Sequence, residues 1–120
     1  MSQRILRVNQ LLKKEISKII QTDLKQNVGM VSILRVSVSR DLHYAKVYYS
    51  VLGNSKDKER VSSILENNRI YIKMILAKRV RLKFLPDLKF ILDDSIEHSF
   101  HMEEVFERLD AQRHKEDNRK

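Results

Sequence analysis

The apolar residues of this chain change their period partway along it, and that change limits the folds open to it more than any other feature. From Gln3 to about Leu24, Ile5, Val8, Leu12, Ile16 and Ile19 recur at steps of three and four, the stripe of a helix that turns one side to a core. Ser2 is placed to cap its start. From residue 30 the period becomes two. Residues 30–39 are rich in alternating β-branched side chains, but Val31 and Ile33 are out of phase with Leu34, Val36 and Val38, so a bulge is expected near Leu34. After Arg40-Asp41-Leu42-His43, the residues Ala45, Val47, Tyr49 and Val51 alternate with Lys46, Tyr48 and Ser50 until Gly53. Two such runs predict an antiparallel hairpin.

The polar stretch Asn54-Ser55-Lys56-Asp57-Lys58 reads as a loop, and Val61, Ile64, Leu65 and Tyr71 or Ile72 then restore a helical spacing that covers one face of a sheet. From Ile70 to Ala77 nearly every residue is apolar, whereas Arg79-Val80-Arg81-Leu82-Lys83-Phe84 alternates, so helix and strand compete there. A helix through about Arg81, then an extended approach to Pro86, is the preferred reading, because proline disfavours helical geometry in the residue before it. Leu88–Leu92 is a short strand, and Phe100, Met102, Val105, Phe106 and Leu109 support a final helix. The order is α-β-β-α-α-β-α, an α+β arrangement with helices packed on one face of a three-stranded sheet. The 120 residues suit one core, since two domains of half that size would each bury too little surface. Residues 1–110 are expected to form that domain, and 111–120, with a single hydrophobic residue, to stay disordered.

Charge narrows the partners. The chain carries 24 Lys and Arg against 16 Asp and Glu, a formal net charge of +8. Residues 1–92 hold 19 basic and 7 acidic side chains, net +12, whereas residues 93–120 hold 5 and 9, net −4. A basic body followed by an acidic end is a common layout among nucleic-acid binders, and it makes a polyanion the first partner to consider. Several classes drop out. With no cysteine there is no disulfide, thiolate or Cys-based zinc chemistry, which fits a reducing cytoplasm. Gly29 and Gly53 are too few to build a phosphate-cradling loop. No apolar run approaches a membrane span, and the N-terminal residues show no export signal, so a cytoplasmic protein is expected.

The element order is that of a type II KH-like domain. Two ordered motifs are more specific: Val38-Ser39-Arg40-Asp41-Leu42-His43-Tyr44-Ala45-Lys46-Val47-Tyr48-Tyr49-Ser50-Val51-Leu52-Gly53, and Val80-Arg81-Leu82-Lys83-Phe84-Leu85-Pro86-Asp87-Leu88-Lys89-Phe90-Ile91-Leu92-Asp93-Asp94-Ser95. Together they closely resemble the ribosome-binding factor A family, with similarity running from about Arg4 to Leu109. The resemblance implies a cytoplasmic assembly factor that binds the immature 30S subunit and helps its 16S rRNA mature, especially in the cold. It implies no catalysis, cofactor or small-molecule substrate; the chain is expected to be a monomer. Where that family has an Ala-x-Gly kink between its two middle helices, this chain has Asn68-Arg69-Ile70. An interruption is still expected near Asn68, because asparagine tolerates left-handed backbone. Asp87 and Lys83 replace a usual Glu and Arg, and the second change removes bidentate phosphate geometry while keeping the charge.

An ordinary KH domain clamps nucleic-acid backbone with a G-x-x-G loop, which this chain lacks. Basic side chains must then supply the grip. On the first helix the candidates are Arg7, Lys14 and Lys18, within about 40° of one another, with Arg4 beside them. Glu15 falls near the edge of the apolar arc, so no acid is expected to neutralise that stripe within the helix. Arg69, Lys73, Lys78, Arg79 and Arg81 around the middle helices complete the set. Outward Tyr48 is the candidate for base stacking, whereas Tyr49 shares the inward phase of the core. Two rival readings are a generic RNA-binding or ribosome-silencing module and a metal-dependent RNA hydrolase built on His98, His101, Asp93 and Asp94. The histidine pair lacks a third ligand at fixed spacing and reads as surface; no metal is expected.

Overall fold

A computed structural model describes residues 3–93. The Ser2 cap, the expected final helix, the 111–120 tail and the His98/His101 pair lie outside the described residues. Three helices and three strands follow in the order α1 (Gln3–Thr22), β1 (Val31–Val38), β2 (Tyr44–Val51), α2 (Ser55–Asn67), α3 (Arg69–Arg79) and β3 (Asp87–Leu92). The sheet runs β1-β2-β3, antiparallel between the first pair and parallel between the second. A parallel neighbour needs a crossover, and α2 with α3 provides it.

The two phases of β1 are reconciled by a bulge. Ile33 faces Tyr49 but Arg35 already faces Tyr48, so Leu34 is the extra residue that returns Val36 and Val38 to the buried side. The hairpin turn is held by Asp41, whose carboxylate accepts from the Ser39 hydroxyl at 2.6 Å and the His43 N–H at 3.0 Å. Those bonds hold the carboxyl below its ordinary pKa of 3.8, the Ser39 bond having the larger effect. Within the turn Leu42 adopts a φ of 63°, left-handed geometry that costs on the order of 1–2 kcal/mol for a residue with a Cβ.

Three sequence expectations need correction. The stretch read as a loop from Asn54 to Lys58 is mostly helix: Asn54 caps α2, its side chain accepting from the Asp57 N–H while the Asp57 carboxylate accepts from the Asn54 N–H. This reciprocal box starts the helix well before the first apolar position, Val61, reveals it. At Asn68 the expected interruption is present, α2 giving way to α3, but the backbone there is not left-handed; φ is −103° and ψ 8°. The Asn68 amide groups bond back to the Ile64 carbonyl, the side chain at 2.7 Å and the backbone N–H at 3.0 Å, so asparagine ends α2 by hydrogen bonding. Finally, α3 stops at Arg79 rather than Arg81, because Val80 turns extended and buries its side chain.

The core lies between the helices and one face of the sheet. Leu12, Ile16 and Ile19 of α1, Val61 and Leu65 of α2, and Ile72 and Leu76 of α3 are fully buried against Ala45, Val47 and Tyr49 of β2. Each large aliphatic side chain buried this way contributes roughly 1.5–3 kcal/mol. Ile72, not Tyr71, is the inward residue of that pair. Tyr49 meets Phe90 edge to face, ring centroids 6.4 Å apart, which seals the core beneath β3. With α1, α2 and α3 on one side, no element among the described residues covers the opposite face of the sheet: Arg35, Ser37, Tyr44, Lys46 and Lys89 are exposed there and Tyr48 is half-exposed.

Candidate nucleic-acid interface

The amphipathic period of α1 determines where its cations go. Burying Leu12, Ile16, Ile19 and Ile20 turns Arg4, Arg7, Lys14 and Lys18 to solvent. Arg4, Arg7 and Lys14 have no acidic partner among the described residues. Lys18 does, which corrects the expectation of an acid-free stripe: the Glu15 carboxylate lies 4.0 Å from its ammonium. Glu15 reaches it because residues three apart are neighbours on a helix surface, even though its own side chain is largely covered. At 4.0 Å with Lys18 half-exposed, the pair is weak.

Around the middle helices the five candidate cations divide. Arg69 is paired to Glu66 one turn back at 3.2 Å. The Lys73 ammonium donates to the Asp87 carboxylate at 2.5 Å, and the Arg79 guanidinium to Asp23 at 2.6 Å. The bond from Lys73, reinforced by its charge, holds the Asp87 carboxyl below its ordinary value of 3.8. Lys73 and Arg79 therefore tie elements together: Lys73 joins α3 to β3, and Arg79 joins α3 to the end of α1. Lys78 and Arg81 are exposed, with no acidic partner among the described residues. Of the candidate cations, Arg4, Arg7, Lys14, Lys78 and Arg81 remain available.

Arg4 also borders a small apolar cavity of about 230 Å³ with Val8, Leu42, Leu82, Lys83, Phe84 and Pro86. Lys83 sits over the exposed Phe84 ring, 5.7 Å from its centroid. A wider cleft of about 630 Å³ near Leu24, Met30 and Leu52 includes none of the candidate residues. Among the described residues no three His, Cys, Asp or Glu side chains come together as metal ligands, and no helix is long and apolar enough to cross a membrane.

The open sheet face holds cations that the helix-centred reading missed. Lys46 of β2 lies directly beside Lys89 of β3 in the parallel register, and Arg35 of β1 stacks over the Tyr48 ring at 4.0 Å from its centroid. The outward phase of Lys46 and Tyr48 is visible in the sequence, but the pairing of Lys46 with Lys89 depends on a register between strands far apart in the chain.

Comparison with known proteins is consistent with this architecture. The sequence model for ribosome-binding factor A matches residues 4–106. The ribosome-binding factor A of Clostridium novyi (strain NT) is 37% identical over 118 residues, covering 97% of each chain. That of Macrococcus caseolyticus (strain JCSC5402) is 43% identical over 110 residues, 91% of this chain and 96% of that one. In three dimensions the crystal structure of ribosome-binding factor A from Thermus thermophilus superposes with a TM-score of 0.66 at 23% identity, over 73% of this chain and 94% of that one. A homology model of the Thermus thermophilus factor, fitted into a cryo-EM map of its complex with the 30S subunit, gives a TM-score of 0.59 at 24% identity, over 72% and 91%. With a family match that spans most of its length and relatives of this identity, the chain belongs to the ribosome-binding factor A family.

Proposed function

We propose that this protein is a non-catalytic assembly factor of the cytoplasm that binds the free or immature 30S subunit as a monomer and assists late maturation of its 16S rRNA. The observation that carries this reading is the exposed row Arg4, Arg7 and Lys14 on α1, free of acidic partners among the described residues. Lys78 and Arg81 add to it. These cations contact phosphates, which fix position and supply salt-dependent affinity without reading sequence. Specificity comes from the folded shape of the ribosomal surface. Association with the 30S subunit is what the fitted Thermus thermophilus relative supports. The binding unit is residues 1–110, with 111–120 a tail outside it.

Cosedimentation tests the reading. The protein should travel with free small subunits and their precursors at low ionic strength and be lost from them steeply as salt rises. Accumulation on joined ribosomes, or no association with small subunits at low salt, would refute it.

A further inference from the structure

We infer that the open face of the sheet is a second RNA-contact surface, on which a single-stranded ribonucleotide segment lies with its phosphates along Lys46 and Lys89 and a base against the Arg35–Tyr48 stack. This rests on the reading of the protein as a ribosomal RNA binder and names the form of RNA it takes.

Four observations converge. Lys46 and Lys89 are register partners on adjacent strands, about 4.8 Å apart at the backbone, and both are exposed. Like charges placed directly opposite destabilise a sheet, and an arrangement of that kind is relieved when a polyanion bridges them. Second, Arg35 faces Tyr48, the next outward residue after Lys46, so a third cation stands about 7 Å further along the same surface. Third, the only acidic residue in the outward phase of the three strands is Asp87, whose carboxylate is already held by Lys73. Nothing else in the strands themselves neutralises the surface.

The fourth observation chooses between forms of RNA. Tyr44 is 60% exposed and Tyr48 carries a guanidinium on one side of its ring, so the face offers planar stacking groups beside its cations. Stacking on side chains is open to unpaired bases and closed to bases inside a duplex. An acidic protein segment would satisfy the lysines but make no use of the stack, which is why RNA is the favoured occupant.

Three variants test this with a mixed-sequence single-stranded oligoribonucleotide and with isolated small subunits. Lys89→Glu should raise the melting temperature, because it converts a repulsive pair into an attractive one, while weakening RNA binding. Lys46→Ala with Lys89→Ala should lower the slope of log affinity against log salt by about 1.4, two single-strand phosphate contacts. Tyr48→Ala should weaken binding by about 5- to 160-fold with the slope unchanged, and Tyr48→Phe should retain it. Unchanged oligonucleotide affinity in all three variants would overturn the inference. If the lysine variants lose small subunits but keep the oligonucleotide, the occupant is an acidic protein surface and the inference also fails. Wild-type protein that ignores small subunits would instead strike the functional reading beneath it.

Discussion

The ammonium of Lys73, midway along α3, donates to the carboxylate of Asp87, the first residue of β3, at 2.5 Å. One side chain that sequence reasoning assigned to RNA is thereby drawn into holding the crossover helix against the strand it leads to. The Asp87 carboxyl is held below its ordinary value, so its contribution to stability is present above that value and is lost as pH falls through the lower folded one. Both side chains are partly exposed, and the effect is accordingly modest. Comparing thermal melts of wild type and Asp87→Asn should give a constant difference from about pH 7 to pH 5 that shrinks below about pH 4. A difference that stays constant into strong acid would show that the ion pair contributes nothing.

Charge reversal on α1 tests the exposed row directly. Arg7→Glu with Lys14→Glu removes two cations that have no acidic partner among the described residues, and neither side chain supports the core. The double variant should keep its melting temperature, bind small subunits far more weakly, and lower the salt slope by about 2. Titrations at several salt concentrations measure all of this. An unchanged slope would place the phosphate contacts elsewhere.

Arg79 and Arg81 are close neighbours in the chain but should respond differently. Arg79 is bound to Asp23 at 2.6 Å across 56 residues of sequence, so Arg79→Ala should lower stability by up to about 1 kcal/mol and change RNA affinity little. Arg81 has no acidic partner among the described residues, so Arg81→Ala should leave stability alone and lower the salt slope by about 1. Chemical denaturation and binding titrations on the same two proteins separate the outcomes.

The start of α2 offers a test of local structure. Asn54→Ala removes one half of the capping box and should cost about 0.5–2 kcal/mol in urea denaturation. Gly53 is its neighbour for a reason: a Cβ there would stand 2.8 Å from the Asp57 Cβ. Gly53→Ala must push Asp57 aside and break the same box. Combined, the two substitutions should cost less than the sum of their separate effects, since both remove one interaction.

Much of this structure was legible from local pattern. The helical steps from Ile5 to Ile19, the phase slip at Leu34 and the alternation from Ala45 to Val51 each predict an observed element, down to the bulge. Two of the three departures turn on polar groups, and the third, the early end of α3, on the burial of Val80. The Asn54–Asp57 box begins α2 ahead of its hydrophobic face, and Asn68 ends it through bonds to Ile64 rather than by left-handed backbone.

The candidate interface was legible as a set of cations but not as a surface. Helical period alone turns Arg7 and Lys14 outward, because the side that buries Leu12 and Ile16 cannot also bury them. No local rule says that Lys73 will find Asp87 or that Arg79 will find Asp23. Those partners depend on how the helices cross the sheet.

The sequence by itself determined which residues face inward and which outward, since hydrophobic periodicity acts over one or two turns of chain and needs no distant partner. Only the tertiary structure decided which cations find an acidic partner among the described residues, because charges from remote segments meet only after the core has set helix crossings and strand register. Lys46 and Lys89 stand side by side for the same reason: burying Ala45 and Leu88 in one core brings the parallel strands into that register, and the two ammonium groups follow.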